Sequence, residues 1–199
     1  MNARMDLRQA VAAVRAARGD SDVVISSMGT AREWLAMGPL HPLDFVYIPS
    51  AMGHAAALGL GLALAQPRRR VIVMIGDGSL LMSLGSLATI AAARPENLVT
   101  LVFDNGVYEI TGAQPTPATA GAERSRVDFG AVARACGIGS VHAFREIGAW
   151  TAGVAGVLAA CGPTIAVLEV APVPGAAGPK SPGPTSGRGP AFMAALRER

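Results

Sequence analysis

The chain has 199 residues, of which 51% are hydrophobic and 16% charged, with a formal net charge of +3. That length accommodates one large domain or two small ones around a proper core, and the small positive charge leaves no electrostatic footprint for a nucleic acid. Cys136 and Cys161 stand alone with no CxxC spacing, which argues against a disulfide framework or an iron–sulfur site and fits a reducing, cytoplasmic setting.

In chain order, an amphipathic helix is predicted from Leu7 to Arg18, stopped by Gly19. Arg4, Arg8, Arg15 and Arg18 deny this region the apolar core of a signal peptide. A strand is predicted at Val23–Ser26, a helix near Ala31–Met37 and a strand at Phe45–Ile48, then a small-residue helix at Gly53–Ala65. Phe45 to Gln66 carries no formal charge over 22 residues, yet Pro49, Ser50, His54 and three glycines divide it into strand and helix rather than a membrane span. Arg68, Arg69 and Arg70 read as a solvated loop before a strand at Arg70–Ile75. A helix follows at Leu80–Ala93, a strand at Leu98–Phe103, a helix at Phe129–Cys136, a strand at Ser140–Ala143, a helix at Ile147–Ala160 and a strand at Thr164–Val170. From Pro172 to Pro190 the chain is rich in Pro, Gly and Ser and reads as an extended tail. A terminal helix, Ala191 to Arg199, is expected to dock Phe192, Met193 and Leu196.

Continuous apolar strands alternating with helices predict an α/β fold: a doubly wound, mainly parallel sheet of six strands with helices on both faces. It occupies residues 1–171, with the tail in 172–199. Ligands of such folds bind beyond the carboxyl ends of the strands. Ser26–Thr30, Pro49–His54, Gly76–Ser79 and Asp104–Tyr108 all fall there.

Two of these ends carry chemistry. Gly76-Asp77-Gly78 follows Val71 to Ile75, and Asp104-Asn105-Gly106 follows Leu98 to Phe103. Asp77 offers a carboxylate and Asn105 an amide carbonyl, the hard oxygens that Mg²⁺ takes when it also holds a phosphate. Gly78 permits a close approach of backbone to an anion, and Ser79 is expected to start a helix whose N–H groups favour negative charge. Each feature has an ordinary reading beside it. Asp77 could cap a helix, Asp104 could simply form a turn, Gly29 and Thr30 could belong to a plain loop, and Met52 could be core filler. His54 could be a satisfied structural group and Glu109 a solvated loop charge.

The GDG cluster, 26 residues and then Asn resembles the thiamine diphosphate signature of the thiamine-diphosphate-dependent decarboxylase superfamily. Val24 to Glu33, Ser50 to Leu64 and Asp77 to Thr116 look like the diphosphate-binding domain of phosphonopyruvate and sulfopyruvate decarboxylases. The resemblance implies thiamine diphosphate and Mg²⁺ as cofactors, with Asp77, Asn105 and the Val107 carbonyl as metal ligands. It implies cofactor contacts from Gly29, Thr30, Ser50, Met52, Gly53, Gly76, Gly78, Ser79 and Tyr108. Met52 would prop the cofactor in its bent shape, the Ser50 carbonyl would accept from the aminopyrimidine, and His54 would meet an anionic group of the substrate. Tyr108, Glu109, Thr111, Gly112, Gln114 and Thr116 resemble the loop that closes over the site.

In this superfamily the catalytic glutamate lies on a separate pyrimidine-binding domain. The resemblance therefore implies a β-type subunit paired with an α-type partner chain that supplies that glutamate, in a hetero-oligomer that decarboxylates a small 2-oxo acid. A carboligase half-subunit of the acetolactate-synthase or transketolase kind, and a non-catalytic cofactor-binding protein, are the alternatives.

Overall fold

The strands at the centre of this chain's sheet are apolar on both faces, and that pattern decides the architecture. The computed structural model describes residues 4–48, 51–119 and 127–198. Within them the chain runs α1 (Leu7–Ala17), β1 (Val23–Ser26), α2 (Met28–Ala36), β2 (Asp44–Val46), α3 (Ala55–Ala65), β3 (Val71–Gly76), α4 (Asp77–Met82) and α5 (Ser86–Ala93). It continues through β4 (Leu98–Asp104), β5 (Val107–Tyr108), a 3₁₀ turn (Glu109–Thr111), β6 (Gln114–Pro115), α6 (Phe129–Ala135), β7 (Ser140–Phe144), α7 (Ile147–Ala159), β8 (Thr164–Glu169) and α8 (Thr185–Arg197).

Six strands form one sheet in the order β2-β1-β3-β4-β8-β7, every pair parallel. Alternate strand residues feed two cores. Val71, Val73 and Ile75 face a layer built from α3, α4, α5, α6 and α8, whereas Ile72 and Met74 face α1, α2 and α7. Helices on both faces bury β3 and β4 throughout, as their uninterrupted apolar runs require.

Local chemistry sets the element ends. Asp6 caps α1 by accepting from Gln9 N–H at 2.9 Å, and Leu7, Ala10, Val11 and Val14 form its buried stripe. The two tryptophans are buried with their indole N–H groups satisfied, Trp34 donating to Asp44 and Trp150 to the Ala10 carbonyl, each at 2.9 Å. Gly59 lets α3 lie against the sheet, since a Cβ there would stand 2.2 Å from Val73 Cγ2.

Several boundaries differ from expectation. α2 begins at Met28, because the Thr30 hydroxyl binds back to the Ser27 backbone, 3.3 Å from its N–H and 2.8 Å from its carbonyl. The helix predicted over 80–93 is two helices, the first starting at Asp77 rather than Ser79. They part at Ser83-Leu84-Gly85, where the Ser83 hydroxyl donates to the Gly53 carbonyl and glycine weakens helix continuation. The β5–β6 hairpin was not predicted; its strands are two residues each, below the length at which alternation can register.

Arg68 is exposed as expected, while Arg69 and Arg70 are half-buried: Arg69 donates to the carbonyls of Ser21 and Glu198, and Arg70 to that of Ala160 at 3.1 Å. α8 starts six residues before its predicted onset and buries Phe192, Ala195 and Leu196, a helical stripe that leaves Met193 54% exposed. The uncharged stretch 45–66 is split between β2 and the 11-residue α3, and among the described residues no helix is long and apolar enough to cross a membrane.

Candidate cofactor and metal site

β3 and β4 are neighbours, with Gly76 opposite Phe103. That register delivers both polar turns to the same edge of the sheet. The Asn105 backbone N–H points at Asp77 Oδ1 from 3.4 Å. Asp77 is 1% exposed, and its Oδ2 is buried with no hydrogen-bond partner among the described residues.

An unpaired buried carboxylate oxygen is costly and calls for a counter-charge. Burial first, and then the charge of Asp104, push the Asp77 carboxyl up to about 7. Asp104 is itself pushed up to about 6, chiefly by burial; Arg4 works against that rise and Glu169 adds to it. Asn105 directs its amide oxygen at the Val107 N–H, 3.0 Å away, which leaves that oxygen a second lone pair. Asp77 Oδ2 and Asn105 Oδ1 are hard oxygens on two turns that meet at the 3.4 Å contact of Asn105 N–H with Asp77 Oδ1, and the pair fits a small divalent cation such as Mg²⁺.

Beside them opens a cavity of about 450 Å³, a size ordinary for a small-molecule site. Gly29, Thr30, Met52, Gly76, Asp77, Gly78, Ser79, Asn105, Val107 and Tyr108 reach its wall, so four sequence-distant segments converge as the topology required. Thr30 arrives with its hydroxyl engaged, 3.1 Å from the Met74 carbonyl and 2.8 Å from that of Ser27. Gly78 is pressed by the Tyr108 ring: a Cβ there would lie 2.6 Å from Tyr108 Cε1. Glycine at this point therefore lets the aromatic ring close against the Asp77 turn.

Two expected residues stay off the wall. Gly53 is buried in the turn before α3 at φ 89°, and His54 is exposed, with Nδ1 3.1 Å from the Met52 carbonyl. Ser50 lies outside the described residues. Thr111 and Gln114 also line the cavity, on the β5–β6 hairpin, while Thr116 is buried and bonds Gly106 O through its N–H at 3.0 Å.

Glu109 lies in the segment expected to close over the site, but its buried hydrogen-bonding role is not legible there. It is 8% exposed rather than solvated, and its carboxylate accepts from Arg32 Nη1 at 2.8 Å, Asn105 Nδ2 at 3.1 Å and Val173 N–H at 2.9 Å. Two of these partners lie 77 and 64 residues away along the chain, beyond any local pattern. Met28 was likewise missed. It lines the cavity in a left-handed conformation, φ 50°, that its residue type does not announce. Leu7, Phe103, Ile110 and Val170 are among the other residues that make the wall apolar.

A parallel doubly wound sheet with an acidic turn, an asparagine turn and a cavity at its carboxyl edge defines a cofactor-binding α/β domain, and the comparison with known proteins says which. Residues 22–167 match the model of the thiamine pyrophosphate enzyme, C-terminal TPP binding domain, and the chain belongs to that family.

Among its relatives, phosphonopyruvate decarboxylase of Streptomyces hygroscopicus is 47% identical over 154 residues, 75% of this chain and 35% of that protein. Sulfopyruvate decarboxylase subunit beta of Methanothermobacter thermautotrophicus is 41% identical over 123 residues, 62% of each chain. The solved structure of thiamine diphosphate-dependent 4-hydroxybenzoylformate decarboxylase from Rhodococcus jostii RHA1 superposes with a TM-score of 0.70 at 25% identity, covering 86% of this chain and 33% of that one. The matched region thus spans about a third of the phosphonopyruvate decarboxylase and under two thirds of the beta subunit.

Proposed function

We propose that this chain is a β-type subunit of a thiamine-diphosphate-dependent 2-oxoacid decarboxylase that converts a 3-phosphono- or 3-sulfopyruvate to CO₂ and the corresponding aldehyde. The observation that carries the reading is Asp77 Oδ2, buried and, among the described residues, unpartnered beside Asn105 on the wall of a cavity in a thiamine-pyrophosphate-binding domain. The similarity to phosphonopyruvate decarboxylase and sulfopyruvate decarboxylase subunit beta supports the choice of substrate class.

In this reading Asp77, Asn105 and the Val107 carbonyl would hold Mg²⁺, which would supply positive charge for the diphosphate. Thiamine diphosphate supplies the carbon centre that accepts the electron pair left when CO₂ departs. The chain's own residues bind, orient and exclude water. Gly29, Gly76 and Gly78 present backbone without side chains to the cavity, which would let the diphosphate approach closely, and Ser79 lines it beside them. Met28, Phe103, Ile110 and Val170 give the wall an apolar surface, which strengthens every polar contact made inside it. Met52, 53% exposed, offers an apolar prop at the entrance. His54, outside the wall, is available to donate to a phosphonate or sulfonate at the substrate's third carbon.

The acid that activates the cofactor comes, we propose, from an α-type partner chain with the pyrimidine-binding domain. Glu109, a carboxylate on the cavity wall, is unsuited to that task because both its oxygens already accept from Arg32, Asn105 and Val173. The exposed apolar side chains of Met52 and Met82, 53% and 48% accessible, suit burial beneath such a partner. We place the chain in the cytoplasm, a reducing setting that suits the isolated cysteines Cys136 and Cys161.

The test is calorimetric. Asp77→Ala should abolish Mg²⁺-dependent binding of thiamine diphosphate, and an unchanged affinity would remove the metal assignment and the reading with it.

A further inference from the structure

Three segments distant in sequence meet on one buried carboxylate. Glu109 Oε1 accepts from Arg32 Nη1 of α2, while Oε2 accepts from the Asn105 side-chain amide and from the backbone N–H of Val173, which follows β8. The Arg32–Glu109 ion pair is 2.8 Å long, with side chains 20% and 5% exposed.

The consequence falls on Asn105. A carboxylate accepts hydrogen bonds and donates none, so Asn105 can present only its NH₂ group to Glu109. Its Oδ1 must then face the opposite way, where the Val107 N–H engages one lone pair at 3.0 Å. Were the amide reversed, Nδ2 would confront the Val107 N–H donor to donor, Oδ1 would confront the Glu109 carboxylate acceptor to acceptor, and a cation would meet NH₂ hydrogens.

We propose that Glu109 is a positioning residue that locks the Asn105 amide with its oxygen toward the divalent cation, and that Arg32 and the Val173 N–H hold Glu109 in place. The inference rests on the reading of Asn105 as a cation ligand given above. Glu109 touches no metal in this arrangement; it acts through Asn105, as outer-shell acceptors do for other metal ligands. It also makes the orientation depend on α2 and on the segment after β8, two parts of the fold that the motif itself does not contain.

The experiment is a pair of substitutions in the full chain as purified, with any co-purifying partner, titrated with Mg²⁺ at saturating thiamine diphosphate. Glu109→Gln cannot accept from all three donors, and the Mg²⁺ concentration at half-saturation should rise about 10- to 100-fold, the usual effect of losing an outer-shell partner. Asn105→Asp in the Glu109→Gln background should bring it back toward the wild-type value, because both carboxylate oxygens are acceptors and no orientation needs to be locked. Asn105→Asp alone should be weakened, since it faces the Glu109 carboxylate.

A purely structural Glu109 would lower the unfolding midpoint equally in chelator and in Mg²⁺ with thiamine diphosphate, leave half-saturation unmoved and gain nothing from the second substitution; that pattern overturns the proposal. If Asp77→Ala fails to affect binding, the metal reading itself is wrong. If Asp77→Ala abolishes binding while Glu109→Gln does not shift half-saturation, the positioning role alone is wrong. Should Glu109→Gln not fold, exchange of the Asn105 side-chain amide protons in the wild-type chain decides, assigned by their loss in Asn105→Asp. Protection of one Nδ2 proton supports the lock, and exchange as fast as for an exposed asparagine overturns it.

Discussion

At the scale of single residues, the cost of burying Asp77 makes a prediction about pH. Its carboxyl is pushed up to about 7 in the folded chain against about 3.9 when unfolded. Between those values the folded state keeps a proton that the unfolded state has lost, so stability falls as pH rises through that window. Asp104, raised to about 6, adds a slope of the same sign over a lower range. In the presence of chelator, the thermal midpoint of the wild-type chain should therefore drop between pH 4 and pH 8. Asp77→Asn should remove its share of that slope, worth on the order of 4 kcal/mol or less spread over the whole window from about pH 4 to about pH 7. An unchanged slope would contradict the buried, unpaired carboxylate. Cation binding needs the deprotonated form, so Mg²⁺ affinity should strengthen as pH rises through about 7.

His54 belongs to the same scale. It stands exposed two residues from Met52, with Nδ1 held 3.1 Å from that residue's carbonyl. His54→Ala is expected to raise KM for phosphono- or sulfopyruvate several-fold more than for pyruvate; equal effects would take His54 out of substrate recognition. Asp77 and Asn105 were legible in the sequence because each sits directly after an apolar strand on a glycine turn. Glu109 was not, because its meaning lies in donors supplied by residues 32, 105 and 173.

Among the elements, close approach governs what can change. Gly59 is a poor helix former placed inside α3, and its reason is visible only in three dimensions: Val73 Cγ2 would stand 2.2 Å from a Cβ. Gly59→Ala gains helix propensity but overpacks the α3–β3 contact, and a net loss of about 1–3 kcal/mol is expected by chemical denaturation. A stabilised variant would mean that α3 rides higher on the sheet than described. The strands were predicted to within about two residues because parallel, doubly covered strands are apolar without interruption. The break between α4 and α5 was missed, since the cause is the Ser83 hydroxyl donating to Gly53, 30 residues away. The β5–β6 hairpin and the 3₁₀ turn between its strands escaped notice for a different reason: elements of two or three residues have no period to detect.

Across the whole molecule, the segment after β8 is bound into the site instead of trailing from it. Val173 meets Glu109, Ser181 donates to the Ile48 carbonyl at 3.1 Å, and Arg188 donates to the carbonyls of Val46 and Ile48 at 2.8 and 2.5 Å while lying over the Phe45 ring. Arg188→Ala should therefore lower the unfolding midpoint and weaken thiamine diphosphate binding together, although Arg188 is absent from the cavity wall; normal binding would show that this brace does not reach the site. The proposed dependence on a partner also belongs to this scale: the chain purified alone should give no aldehyde from a panel of 3-substituted pyruvates, and turnover without a second chain would refute it. The sequence by itself determined the layered α/β architecture and the two polar turns that follow β3 and β4, because hydrophobic patterning and turn chemistry are local properties written in neighbouring residues. Only the tertiary structure decided that Tyr108 packs on Gly78, and that Glu109 joins α2, the asparagine turn and the chain beyond β8. Those facts depend on strand order and on hydrogen bonds between distant segments, whose geometry exists only once the sheet has assembled.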